Sequence, residues 1–256
     1  MGIPSFSLEG KIAIITGGRR GIGKAIALAF AEAGADIAVC DLVVSGELET
    51  VVDQIQRLGR RCLAMQADTT QKTDVDKLVQ RVTNEFGGID ILVNNAAINI
   101  LVPLLDTSED DWDKVINVDL KGYYLCSQAI SKGFIERKKG SIVNIASRLA
   151  FQANPSVAQG AYCVAKAGIV MLTRVLCREL GRYNIRVNAI APGLVKTEMS
   201  RGIWDAPGVL TQVEASVPLG RLAVAEDMVG AALFLVSDAS SYITGHTILV
   251  DGGASA

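Results

Sequence analysis

Short runs rich in Ile, Val and Ala alternate along the chain with longer segments whose apolar residues recur every three or four positions. The runs lie at Lys11–Thr16, Asp36–Asp41, Cys62–Gln66, Asp90–Asn94, Ser141–Ala146, Ile185–Ala191 and Thr247–Asp251. β-Branched residues bounded by turn formers predict strands. Helical periodicity marks Gly21–Gly34, Thr73–Phe86 and Ser108–Arg137, and "SEDD" at 108–111 and "TDVD" at 73–76 read as helix starts with an acid in the first turn. Strands separated by helical crossovers argue for a parallel sheet. The expected fold is therefore α/β, a single doubly wound domain over residues 1–256 with a seven-stranded parallel sheet and helices on both faces. The one long irregular segment, about 192–218, carries "PG" at 192–193 and again at 207–208 and reads as a substrate loop.

Composition narrows the chemistry. A chain of 256 residues, 50% hydrophobic, buries a large core, and a net charge of −2 without a basic stripe argues against nucleic acid. "MGIPSFSLEG" lacks the charged start and apolar block of a signal peptide, and Phe6 stands where a myristoylation motif needs Ser or Thr. No apolar run approaches bilayer length, so a cytoplasmic protein with no membrane contact is expected. The five cysteines form no C-x-x-C pair and read as reduced thiols. His246 is the only histidine, which excludes a His-rich metal cluster, and no metal is expected. Acid–base work must come from Tyr, Lys or carboxylates.

The first strand runs into "TGGRRGIG" at 16–23 and then a helix. Glycines at such a turn let backbone approach a pyrophosphate, while the helix N-terminus offers free N–H groups and positive dipole. The spacing Gly17-x-x-x-Gly21-x-Gly23 departs from G-x-G-x-x-G. Asp41, eighteen residues after Gly23 at the end of the second strand, stands where an acid would meet the adenosine ribose hydroxyls. Asp68-Thr69, Asn94-Asn95, Ser147 and Pro192-Gly193 end four further strands, the edge at which open α/β sheets bind ligands.

"TGGRRGIG", "NNAA", "NIAS", "YCVAK" and "PGLVKTEM", in this order and spacing, resemble the short-chain dehydrogenase/reductase family from Leu8 to Gly253. The resemblance implies a Rossmann-like domain and an oxidoreductase that interconverts a secondary alcohol and a ketone with a nicotinamide dinucleotide. It implies a catalytic tetrad of Asn117, Ser147, Tyr162 and Lys166, with Lys166 also on the nicotinamide ribose and Asn117 holding a water. It also places Ile22, Asp68, Thr69, Asn95, Ala96, Val195 and Thr197 along the dinucleotide, beside Gly17, Arg19, Arg20, Gly21, Gly23, Asp41, Pro192 and Gly193. Independently of the family, Tyr162 and Lys166 at i and i+4 share a helix face. A free phenol ionises near about 10, and a neighbouring ammonium is expected to lower that value. NAD is the expected cofactor, because Asp41 suits a ribose diol and repels a 2′-phosphate, although Arg19 and Arg20 pull towards NADP.

Three departures from the family pattern stand out. Ala97 replaces the usual Gly after "NNA". The Ser147–Tyr162 interval is longer than in many members. Arg148 follows the serine directly, where it could meet an anionic substrate; a surface or inter-subunit ion pair is the favoured expectation. The substrate stays open between a sugar acid or polyol, as for gluconate 5-dehydrogenases, a 3-oxoacyl or general carbonyl compound, and a large apolar molecule against Ile203, Trp204, Val209 and Leu210. A non-catalytic dinucleotide-binding sensor or scaffold is the reading from another class. The apolar "EDMVGAALFLV" helix and the final strand suggest a homotetramer by family analogy.

Overall fold

The computed structural model describes residues 5–43, 46–153, 158–205 and 208–256. Seven strands form one parallel sheet in the order β3-β2-β1-β4-β5-β6-β7. They are β1 Ile12–Thr16, β2 Asp36–Asp41, β3 Cys62–Gln66, β4 Ile91–Asn94, β5 Gly140–Ile145, β6 Ile185–Pro192 and β7 Thr247–Val250. The chain winds outwards from β1 to β3 and then crosses back to lay β4 on the other side of β1. This reversal leaves a crevice beyond the carboxyl ends of β1 and β4, where doubly wound sheets bind ligands.

Both faces of the sheet are apolar, as buried parallel strands require. On one face Ala13, Ile15, Ile37, Val39, Val93 and Val143 pack under α1 (Gly21–Glu32), α2 (Gly46–Arg57) and α9 (Val229–Val236). On the other, Ile14, Ala38, Leu92, Ile142 and Val187 pack under α3 (Lys72–Phe86), α5 (Gly122–Arg137) and α6 (Gly160–Leu180). The two sets alternate along each strand, the period-2 consequence of the pleat. A buried amide chain adds direction to this second face. Asn94 Nδ2 donates to Asn144 Oδ1 at 2.9 Å and to Ser127 Oγ at 3.1 Å, and Asn144 Nδ2 donates to Thr173 Oγ1 at 2.9 Å. It ties β4 and β5 to α5 and α6, and with them the polar strand ends.

The helical segments differ from the sequence expectation in three places. The run over 108–137 is not one helix. α4 (Glu109–Ile116) passes into a π turn at Asn117–Lys121 before α5 begins. Ser108 does cap α4, accepting from the Asp111 N–H at 3.1 Å. Thr73 is not a cap, since α3 starts one residue earlier, at Lys72, with no side-chain cap. The loop after β6 contains α7 (Arg201–Trp204) and α8 (Val209–Ser216), so it is partly helical; Pro207 lies outside the described residues. α6 is long and apolar enough to span a bilayer, contrary to the expectation of no such run. Here it packs against β5 and β6 and buries Lys166 and Thr173.

All five cysteines are free. Burial pushes the Cys62 and Cys126 thiols up to about 12, which leaves them protonated and inert near neutrality.

Candidate active site

The turn between β1 and α1 is built by close approach. Gly17 and Gly21 have φ of 64° and 56°, the left-handed region glycine enters without strain. A Cβ on Gly17 would stand 2.9 Å from Ala96 Cα, and one on Gly18 2.7 Å from Val39 Cγ1. Arg20 precedes α1 without a capping side chain, and the first turn of α1 holds no acid. Its free N–H groups face the crevice as an anion site. Asn95 fixes the opposite wall. Its amide donates to Thr16 O at 2.9 Å and Gly17 O at 3.0 Å, while its own N–H and that of Ala96 donate to Thr16 Oγ1 at 2.9 and 3.1 Å.

These walls enclose a cavity of about 640 Å³ that runs past every polar strand end named from the sequence. Of the catalytic and cofactor-binding residues expected from the sequence, all but Gly23 and Asn117 line it. Gly23 works from behind: a Cβ on it would stand 2.3 Å from Gly17 O, so it lets α1 pack against the turn and does not itself face the cavity. Asn117 opens the π turn, half-buried and away from the cavity, and the extra residue of that turn carries another side chain inwards. That side chain is Asp119, fully buried. Sequence reasoning missed it, although an acid inside the otherwise apolar "VINVDL" was a visible anomaly.

At the cofactor end Asp41 sits at the carboxyl end of β2. Arg19 does not stand free beside it. Its Nε lies 3.5 Å from Asp41 Oδ1 and its Nη1 donates to Glu47 in the first turn of α2. Arg19, expected to pull towards NADP, is thus held by two carboxylates, and one of them, Glu47, is independent of Asp41.

At the chemical end, Tyr162 and Lys166 lie one turn apart on α6, with Nζ 5.2 Å from the Tyr162 ring centroid. Lys166 is 1% exposed. Nζ donates to Ile145 O at 3.1 Å and Tyr123 OH at 3.4 Å and pairs with Asp119 Oδ2 at 3.2 Å. Asp119 Oδ1 accepts from the Ile98 N–H at 2.8 Å. The Tyr123 hydroxyl in turn donates to Ile145 O at 3.1 Å. Ser147, at the end of β5, is buried and accepts from the Leu149 N–H at 3.2 Å.

Burial pushes the Tyr162 phenol up, the Asp119 carboxylate adds to this, and only the Ser147 hydroxyl draws it down. The phenol of the cofactor-free protein thus lies above its ordinary range, where a lowering by Lys166 was expected, because burial first and Asp119 second push it up. Burial likewise pushes Asp119 up and Lys166 down, each opposed by the other's charge.

Arg148 lines the cavity next to Ser147 and makes no ion pair among the described residues, so the pairing expected for it is not formed within them. Asn99 also lines the cavity and has a buried Oδ1 with no hydrogen-bond partner among them. No cluster of metal-ligating side chains occurs among the described residues.

The pattern of motifs has a counterpart in known proteins. Residues 17–255 match the family model described as enoyl-(acyl carrier protein) reductase. The structure of a short-chain type dehydrogenase/reductase from Mycobacterium marinum superposes with a TM-score of 0.93 at 37% identity over 97% of each chain. The chain belongs to the short-chain dehydrogenase/reductase family. It is an oxidoreductase that interconverts secondary alcohols and ketones with a nicotinamide dinucleotide. The 2-dehydro-3-deoxy-D-gluconate 5-dehydrogenase of Escherichia coli (strain K12) is 40% identical over 98% of each chain. A gluconate 5-dehydrogenase from Burkholderia cenocepacia J2315, solved with NADP and tartrate, is 34% identical over 98% of each chain with a TM-score of 0.94.

Proposed function

We propose that this member of the family oxidises a hydroxyl of a sugar acid, or reduces the corresponding ketone, with NAD and with Tyr162 as the acid–base group. The observation that carries the reading is the placement of Tyr162, Ser147 and Lys166 together on the floor of a cavity whose other end is a glycine-lined anion site.

The residues fit a dinucleotide. The free N–H groups of α1 and the turn Gly17–Gly21 would hold the pyrophosphate, and Asp41 would accept from the ribose diol. Asp68 and Thr69 would flank the adenine side, and Asn95, Ala96, Pro192, Gly193, Val195 and Thr197 the nicotinamide side. When bound, the nicotinamide supplies a hydride acceptor or donor. The protein supplies the proton. Tyr162 Oη takes the alcohol proton as the carbinol C–H bond breaks, or gives its own to the carbonyl oxygen in the reverse direction. Ser147 donates to the same substrate oxygen and steadies its developing charge.

Asp41 favours NAD. It stands at the strand end, where it would repel a 2′-phosphate, and Arg19 is already engaged by Asp41 and Glu47. The NADP in the Burkholderia structure leaves this preference to be measured. Arg148 and Asn99 support an anionic, polyhydroxylated substrate, in line with the named substrate of the Escherichia coli relative. A cytoplasmic homotetramer completes the reading. β7 forms the free edge of the sheet with Leu249 45% exposed, and Tyr242 is fully exposed beside it.

Tyr162→Phe tests the assignment. It removes one hydroxyl, so dinucleotide binding and melting should stay close to wild type while turnover on sugar acids falls by about 10²–10⁴-fold. Retention of more than about a tenth of wild-type turnover overturns it.

A further inference from the structure

Lys166 and Asp119 are a base and an acid sealed into this site, 1% and 0% exposed, with Nζ and Oδ2 3.2 Å apart. Their placement depends on two features of the backbone. The π turn at Asn117–Lys121 rotates Asp119 away from the direction a continuous α-helix would give it, and the Ile98 N–H after β4 anchors Oδ1 at 2.8 Å. The second oxygen is thereby left to Lys166. It accepts no hydrogen bond with good geometry from any described group, so the ammonium is its only compensation.

We infer that Asp119 is a positioning residue that serves Lys166 as a buried counter-ion, so that Tyr162 faces a charge-neutral pair instead of a free ammonium. The neutrality of the pair holds wherever the shared proton sits. An ammonium beside a carboxylate and an amine beside a carboxylic acid both sum to zero. In either form the attraction that would stabilise a phenolate is reduced to that of a dipole. The proposal rests on the assignment of Tyr162 as the acid–base group, but its electrostatic content is measurable without turnover.

The groups around the phenol bear this out as a balance. Asp119 comes from the π turn, Tyr123 from α5 with Cys126 behind it, and Cys163 and Lys166 from α6 itself. Ser147 and Arg148 come from the end of β5, and Glu198 stands across the cavity. Tyr123, Cys126 and Cys163 are neutral near pH 7. Arg148 is half-buried and open to the cavity, where solvent screens it. Lys166 and Asp119 are the charges in low dielectric, and each is the other's partner. Removing one therefore changes the field at Tyr162 more than removing any other neighbour.

Asp119→Asn is the direct test, because an amide oxygen can still accept from the Ile98 N–H while the charge is lost. A net positive charge then remains beside the phenol. In the cofactor-free protein the phenol, read as the ultraviolet difference between each parent and its Tyr162→Phe derivative, should ionise about one to two pH units lower than in wild type. The alkaline-rising limb of the pH–rate profile for alcohol oxidation should move down by the same amount. A Lys166→Met/Asp119→Asn double variant, which removes both charges, should return the phenol towards its wild-type position. An unmoved phenol in Asp119→Asn, or an equal shift in the double variant, overturns the inference. A uniform loss of rate with no shift of profile or phenol means that the carboxylate is only structural, and overturns it as well. If Tyr162→Phe proves active, the acid–base assignment fails while the ultraviolet titration still decides the role of Asp119.

Discussion

Gly23 should be the least replaceable residue of the cofactor turn, although it does not line the cavity. A Cβ there would lie 2.3 Å from Gly17 O and 2.5 Å from Asn95 Nδ2. Neither atom is free to retreat. Asn95 Nδ2 is held by Thr16 O at 2.9 Å and Gly17 O at 3.0 Å, and Gly17 N donates to Cys40 O at 2.8 Å. Gly23→Ala must therefore shift α1 or break the Asn95 bonds. Overpacking of this kind costs about 1–3 kcal/mol, and each lost hydrogen bond about 1 kcal/mol. The better helix propensity of Ala returns about 1 kcal/mol. A net loss of about 1–3 kcal/mol lowers the melting temperature of a domain this size by about 2–12 °C. Calorimetry gives the melting temperature, and quenching of protein fluorescence by NAD gives the affinity, which should fall because the whole turn is displaced. Gly230→Ala is the control: it sits exposed in α9 with nothing within 4 Å and should stabilise by up to about 1 kcal/mol. If Gly23→Ala melts with wild type and binds NAD as tightly, the close-packing argument is wrong.

Cofactor choice and substrate charge each have a single-residue test. Wild-type kcat/KM should favour NAD over NADP by more than tenfold, and Asp41→Ala should shrink that ratio. Full reversal should need Asp41→Ala/Glu47→Ala, since Glu47 otherwise keeps Arg19; a wild type that prefers NADP refutes the weighting of charges. Arg148→Ala should raise KM for a sugar acid by roughly one to two decades, the effect of losing a charge-assisted hydrogen bond of about 1.5–3 kcal/mol, and leave KM for a neutral polyol unchanged. An unchanged KM on both substrates removes Arg148 from the substrate site.

The strands were legible because a parallel sheet buried on both faces demands unbroken β-branched runs, and all seven sequence ranges agree with the structure to within one residue at each end. The differences are of one residue each: Lys11 and Asp90 fall before β1 and β4, β5 begins and ends one residue earlier, Pro192 joins β6, and Asp251 leaves β7. The cavity-lining set was legible for a related reason, since residues at strand ends have fixed places once the strand order is given. The π turn was not legible. An amphipathic period over 108–137 looks the same whether or not one extra residue is inserted, yet the insertion decides whether residue 117 or residue 119 points at Lys166. Ion pairing was hidden for the same reason. Arg19 reads as a free cation in "GGRRG" because Glu47 is twenty-eight residues away in sequence and adjacent only in the fold.

Burial gives the phenol of Tyr162 a direction. An ordinary tyrosine ionises near about 10, and here desolvation first and the Asp119 carboxylate second both push the phenol higher. A group held above its usual range stays protonated throughout neutral pH, and a protonated phenol is a proton donor. Burial and the neighbouring carboxylate therefore favour the proposed role of Tyr162 as proton donor to a carbonyl oxygen, the reductive half of the chemistry. Oxidation needs the phenolate, whose fraction falls tenfold for each unit by which the phenol's ionisation lies above the working pH, so the oxidative rate must rise with pH while the reductive rate does not. A lone ammonium beside the ring would narrow that asymmetry by favouring the phenolate. The carboxylate of Asp119 adds to the effect of burial in keeping it wide.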